Sequence, residues 1–74
     1  MKKTTIDNII TQEQIELLTD TFESGESISL DAIVGWKEIE EEEDGEDNEE
    51  LISMISDIIE IMEKNKTNSF EVID

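Results

Sequence analysis

The chain has 74 residues, which bounds it to one small domain. Twenty-two acids against five lysines, with no arginine, give a formal net charge of −17, which argues against direct binding to nucleic acid or to anionic membrane surfaces. With no His, Cys, Tyr or Arg, the chain has no imidazole base, thiolate or guanidinium clamp, no disulfide and none of the usual zinc sites.

Residues 1–10 form a lead-in carrying Ile6, Ile9 and Ile10. No apolar stretch of signal-peptide length follows the brief basic start, and no run approaches the roughly 18–20 apolar residues that span a bilayer. A cytoplasmic location is the expectation by elimination. Thr11-Gln12-Glu13-Gln14 predicts a capping box, with Thr11 at N-cap and Gln14 three residues on, and Ile10 and Ile15 suit the accompanying hydrophobic staple. The helix is expected over about 12–23, with Ile15, Leu18 and Phe22 on one face and Leu17 beside it. Gly25 is expected to end it as a left-handed residue just past the last turn.

Residues 26–40 read two ways. Ser29 can cap a helix over about 29–36 that places Ile33, Val34 and Trp36 on the core side. The alternative is a short strand, because Ile28, Leu30 and Ala32 alternate with polar residues. From 38 to 50, ten of thirteen residues are acidic, and this stretch is expected to be a loop. Asp47 or Asn48 can cap the next helix, expected over about 47–64, where Leu51, Met54, Ile55, Ile58 and Met62 recur at helical spacing, flanked by Ile52, Ile59 and Ile61. The tail from 69 to 73 alternates weakly and reads as an edge strand or a frayed end.

The expected fold is therefore a small, mainly α domain with possible short edge strands. Thirteen isoleucines make the chain too apolar for a disordered acidic tail, yet a core this size commonly supplies only about 3–5 kcal/mol, and no disulfide or metal staples it. The eight aliphatic side chains of the last helix exceed what one short partner helix covers. A homodimer is expected from that surplus, with Leu51, Ile55, Ile58 and Met62 at its interface.

The acids carry the functional reading. For a small domain a net charge of magnitude about 2–8 is ample for solubility, and a larger one destabilises the compact state by self-repulsion. A net charge of −17 therefore asks for another role. A calcium loop is not it: with Gly45 at position 6 of an EF-hand, Glu40 falls at position 1 and Leu51 at position 12, where a bidentate carboxylate is required. Two carboxylates can do glycosidase chemistry, but 74 residues hardly build the cleft, so no enzyme and no cofactor is expected. A solvated loop that serves solubility, a segment for a basic partner, and an imitation of DNA remain. The third has geometric support. Duplex DNA carries one charge per about 1.7 Å, and side chains at i, i+3 and i+4 on a helix have Cβ atoms about 5–6 Å apart. Glu13, Glu16, Asp20 and Glu23 have that spacing on the first helix, and Glu49, Glu50, Asp57, Glu60 and Glu63 come close to it on the last. Between them stand Glu38, Glu40, Glu41, Glu42, Glu43, Asp44, Glu46 and Asp47. Core packing is the ordinary role for Trp36, with an exposed interface anchor as the alternative.

In short length, extreme negative charge, Asp and Glu lining helices, and absence of catalytic groups, the chain resembles the small acidic DNA-mimic proteins of bacteriophages and mobile elements. The resemblance covers the charge pattern of the whole chain and no diagnostic motif. It implies an inhibitor that competes with DNA for a basic DNA-binding protein in the host bacterial cytoplasm. Targets of that group include histone-like nucleoid proteins, RNA polymerase, restriction enzymes, uracil-DNA glycosylase and CRISPR effectors. A nucleoid protein of the HU type comes first, because its cationic DNA-binding surface is dimeric and indifferent to sequence. The rival from another class is an antitoxin or immunity protein that covers the active site of one basic enzyme.

Overall fold

The computed structural model describes residues 2–43 and 48–74. Three helices make up most of the described residues: α1 (Gln12–Thr21), α2 (Leu30–Glu42) and α3 (Glu49–Lys64). Three short strands, β1 (Lys3–Thr4), β2 (Ser27–Ser29) and β3 (Ser69–Ile73), form one antiparallel sheet in the order β1-β3-β2. Among the described residues, no helix is long and apolar enough to cross a membrane.

The lead-in is structured. Lys3 and Thr4 pair with Ile73 and Val72. The next turn is held by Asp7, whose Oδ1 accepts from the Thr4 backbone and hydroxyl, and it buries Ile6. α1 begins with the expected capping box: the Gln14 N–H donates to Thr11 Oγ1 at 3.2 Å, and the Thr11 N–H donates to Gln14 Oε1 at 2.9 Å. The helix ends at Thr21, two residues before the expected end, because Phe22 turns extended and sends its ring towards Trp36 and Phe70. Gly25 is thus not the residue next to the helix end. Its φ of +91° serves the later turn that brings its N–H to the Val72 carbonyl at 2.7 Å and sets β2 beside β3.

The ambiguity over 26–40 resolves into both elements in succession. β2 holds Ile28 in the core, and Ser29 then caps α2 by accepting from the Ala32 N–H at 3.1 Å. α2 runs to Glu42 and does not stop near 36, so the first five residues of the expected acidic loop are helical. Glutamate is a good helix former, and the packing of α2 against α3 extends a segment that charge repulsion alone would open. Ile33 is fully buried and Trp36 half-buried, whereas Val34 lies on the exposed side and not in the core. Of the rest of that expected loop, Glu43 is the C-cap of α2, Asn48 is the N-cap of α3, Glu49 and Glu50 are its first residues, and Asp44, Gly45, Glu46 and Asp47 lie outside the described residues.

α3 starts at Glu49, with Asn48 at its N-cap making no side-chain cap bond. It ends in a Schellman motif: the Thr67 N–H donates to the Met62 carbonyl at 2.8 Å and the Lys66 N–H to the Glu63 carbonyl at 3.1 Å. Lys66 occupies the left-handed position at φ 55°, where a side chain carries a cost that glycine avoids. Lys66→Gly is expected to stabilise the fold by about 0.5–1 kcal/mol, a Tm rise of a few degrees in a thermal melt. A lower Tm would show that the Lys66 side chain contributes more than its backbone costs.

The core comprises Ile6, Leu18, Ile28, Ile33, Ile55, Ile58, Met62, Phe70 and Val72. The tail proves to be the central strand β3, neither edge nor frayed. Phe70 and Val72 face the helices, and the strand bonds β1 on one side and β2 on the other. Burial within the single chain removes the reason for expecting a dimer on the last helix. Ile55, Ile58 and Met62 are each 0% exposed within the single chain, and Leu51 packs half-buried against the same cluster. The surplus apolar face packs against α2 and shares one buried cluster with Ile28 of β2 and with Phe70 and Val72 of β3.

Candidate partner-binding surface

The described acids of interest lie on three helical surfaces and all reach solvent. On α1 and just beyond it, Glu13, Glu16, Asp20 and Glu23 are exposed, opposite the buried Leu18. On α3, Glu49, Glu50, Asp57, Glu60 and Glu63 are exposed along the side away from Ile55, Ile58 and Met62. The heptad-like apolar pattern of α3 thus aims its carboxylates outward by default. From Glu49 to Glu60 they extend over about 16 Å of helix axis.

α2 supplies the densest group, and its helical form divides the acids into two rows. Glu38, Glu41 and Glu42 stand at i, i+3 and i+4 and are exposed, so their Cβ atoms are about 5–6 Å apart. Glu40 is half-buried on the side nearer α3, and Glu43 follows it. The two meet the Asn48 amide, whose Nδ2 donates to Glu40 Oε2 at 3.3 Å, to Glu43 Oε2 at 3.2 Å and to the Glu40 carbonyl at 3.4 Å. This bridge explains why Asn48 leaves its own helix uncapped. It also places donors at a helix C-terminus where no basic residue stands in the last turn and the macrodipole disfavours acids.

The cations are unevenly placed. Lys2 donates to the Thr19 carbonyl at 3.4 Å and lines a groove of about 320 Å³ with Glu16 and Asp20, so the α1 row has a positive neighbour. Lys37 sits 3.9 Å from Glu41, an i,i+4 pair with both side chains substantially exposed, which contributes little. Lys64 and Lys66 lie at the far end of α3, away from Glu49 and Glu50. The end of α2 and the start of α3 therefore form an acidic pole of seven described carboxylates: Glu38, Glu40, Glu41, Glu42, Glu43, Glu49 and Glu50. Among the described residues no group of three or more acids is arranged to hold a metal ion.

Self-repulsion at this pole is expected to show in stability. Raising salt from low to moderate concentration should raise Tm, because screening relieves repulsion among carboxylates a few ångströms apart and removes little from one exposed pair. A Tm that falls over that range would mean that attractive pairs dominate the surface.

Sequence reasoning placed the α1 and α3 rows correctly on solvent faces. It missed the bridging role of Asn48, whose only signal was an amide at the edge of a like-charged run, and the position of Lys2 against the α1 row, which depends on β1 joining the sheet. The chain matches no protein-family model, no curated protein and no solved structure, so the reading of this surface rests on its own geometry.

Proposed function

We propose that this protein is a DNA mimic: it occupies the DNA-binding surface of a basic host protein in the bacterial cytoplasm and so releases DNA. One observation carries the reading. The molecule is 33 Å in its longest dimension and bears a net charge of −17. At one charge per about 1.7 Å, a duplex of that length carries about 19. The charge density is thus that of DNA itself, and the described carboxylates are borne largely on helices at phosphate-like separations. A cationic groove that accepts a duplex without reading its sequence would accept such a surface, which makes a nucleoid protein of the HU type the first target. A homodimer belongs to the proposal only through apolar side chains left half-exposed on α3, such as Ile52, Met54 and Ile61, and sedimentation at high micromolar concentration measures it.

The test is displacement of labelled duplex from an HU-type protein, with RNA polymerase and a restriction enzyme alongside. Displacement is expected to weaken steeply with salt, because the partner's Lys and Arg lose a screened attraction. Glu38→Gln, Glu41→Gln and Glu42→Gln combined should weaken it in a graded way, since many contacts share the energy. If the protein and duplex bind such targets together without mutual exclusion, the mimic reading is wrong. Tight, salt-insensitive binding to a single enzyme would point instead to an immunity protein.

A further inference from the structure

Ile39 is the most exposed large hydrophobic side chain described, at 59%. A single exposed aliphatic residue is ordinary. This one continues a stripe, because Ala32, Gly35, Trp36 and Ile39 stand at i, i+3, i+4 and i+7 of α2. Ala32 is exposed, and Gly35 and Trp36 are half-buried. The stripe has a firm backing: the Trp36 ring meets Phe22 edge-on at 5.7 Å, and Phe22 meets the buried Phe70 at 6.3 Å. Gly35 is not demanded by the chain's own packing, since a Cβ there would meet nothing within 4 Å, yet glycine inside a helix costs about 1 kcal/mol relative to alanine. It leaves a notch between Ala32 and Ile39. Three residues beyond Ile39 comes the exposed carboxylate of Glu42, and Glu43 follows at the extended C-cap.

We propose that this stripe is a docking surface for an amphipathic helix of a cationic partner protein. Its aliphatic face covers Ile39 and Trp36, and its Lys or Arg side chains meet Glu42 and Glu43. Charge selects the occupant. A second copy of the chain would bring a further net −17 against this rim, whereas a basic helix is complementary to it. The inference rests on the reading of the acidic surface as a site for a basic protein and adds an apolar anchor that phosphate mimicry alone does not require. Binding should then have two parts: a salt-sensitive one from the carboxylates and a salt-resistant one from Ile39.

Two synthetic peptides of about 18 residues, five helical turns, test it. One places Leu and Lys in amphipathic order; the other keeps every Lys and replaces each Leu with Ser. Trp36, the only tryptophan, reports binding by its emission. In moderate salt the Leu/Lys peptide is expected to bind about tenfold more tightly and to shift Trp36 emission to the blue, as burial of one aliphatic side chain implies. Ile39→Ser should abolish that preference. Val34→Ser, 36% exposed and about 140° around the helix, should retain it. Equal affinity for the two peptides, or a preference that survives Ile39→Ser, overturns the proposal. A wild-type dimer that Ile39→Ser dissociates overturns it too, by making a second copy the occupant. Failure to displace duplex alongside an intact Ile39-dependent preference would sink the mimic reading and leave this one standing.

Discussion

Deleting residues 69–74 is expected to abolish cooperative folding. β3 is the central strand, so its loss strips β1 and β2 of the sheet partner they share and removes Phe70 and Val72, which are 2% and 0% exposed. Truncating a buried Phe to Ala alone costs about 3–5 kcal/mol, comparable with the whole stability of a domain this size. The deletion also takes Phe70 and Val72 out of the buried cluster they share with Ile55, Ile58 and Met62. Far-ultraviolet circular dichroism with a thermal melt measures the outcome. A cooperative transition within a few degrees of full length would mean that the helices hold the core without the sheet. Phe70→Ala is the milder version and should retain helix while lowering Tm steeply.

Ile58→Asp should likewise yield an unfolded chain rather than a folded monomer. Ile58 has no exposure inside the single chain, and none of the five lysines belongs to the buried core. A carboxylate placed there is buried without a partner, at a cost of several kcal/mol. For a residue at a dimer interface the same change would separate two folded subunits. Sedimentation together with circular dichroism distinguishes these outcomes: a helical, cooperatively melting monomer would place Ile58 at an interface after all.

The parts of the fold legible beforehand were those set by neighbours in sequence. The Thr11–Gln14 box and the helical recurrence from Leu51 to Met62 each rest on groups within a turn or two of one another, so local chemistry was enough, whereas the Ser29 cap was one of two readings of its segment. Outward placement of the acids followed from the same recurrence, because a helix that buries Leu18 or Ile55 exposes its opposite face. The length of α2 was not legible in that way. Its charge run reads as open when taken alone, and its helical form draws on packing against α3 and on Asn48, five residues beyond Glu43.

Sequence by itself determined the charge, the start of α1 and the apolar faces of α1 and α3, since each depends on residue type and short-range spacing. Only the tertiary structure decided what those faces cover. The role of β3 depends on partners some seventy residues away at Lys3 and Thr4 and some forty away at Ser27, Ile28 and Ser29. Weak alternation in a five-residue tail carries no information about strands that distant, because backbone pairing is indifferent to most side chains. Packing of α2 and the sheet into one cluster with α3 then turned an apparent surplus into a closed core and left Ile39, about 120° around α2 from Ile33, as the most exposed large apolar side chain described.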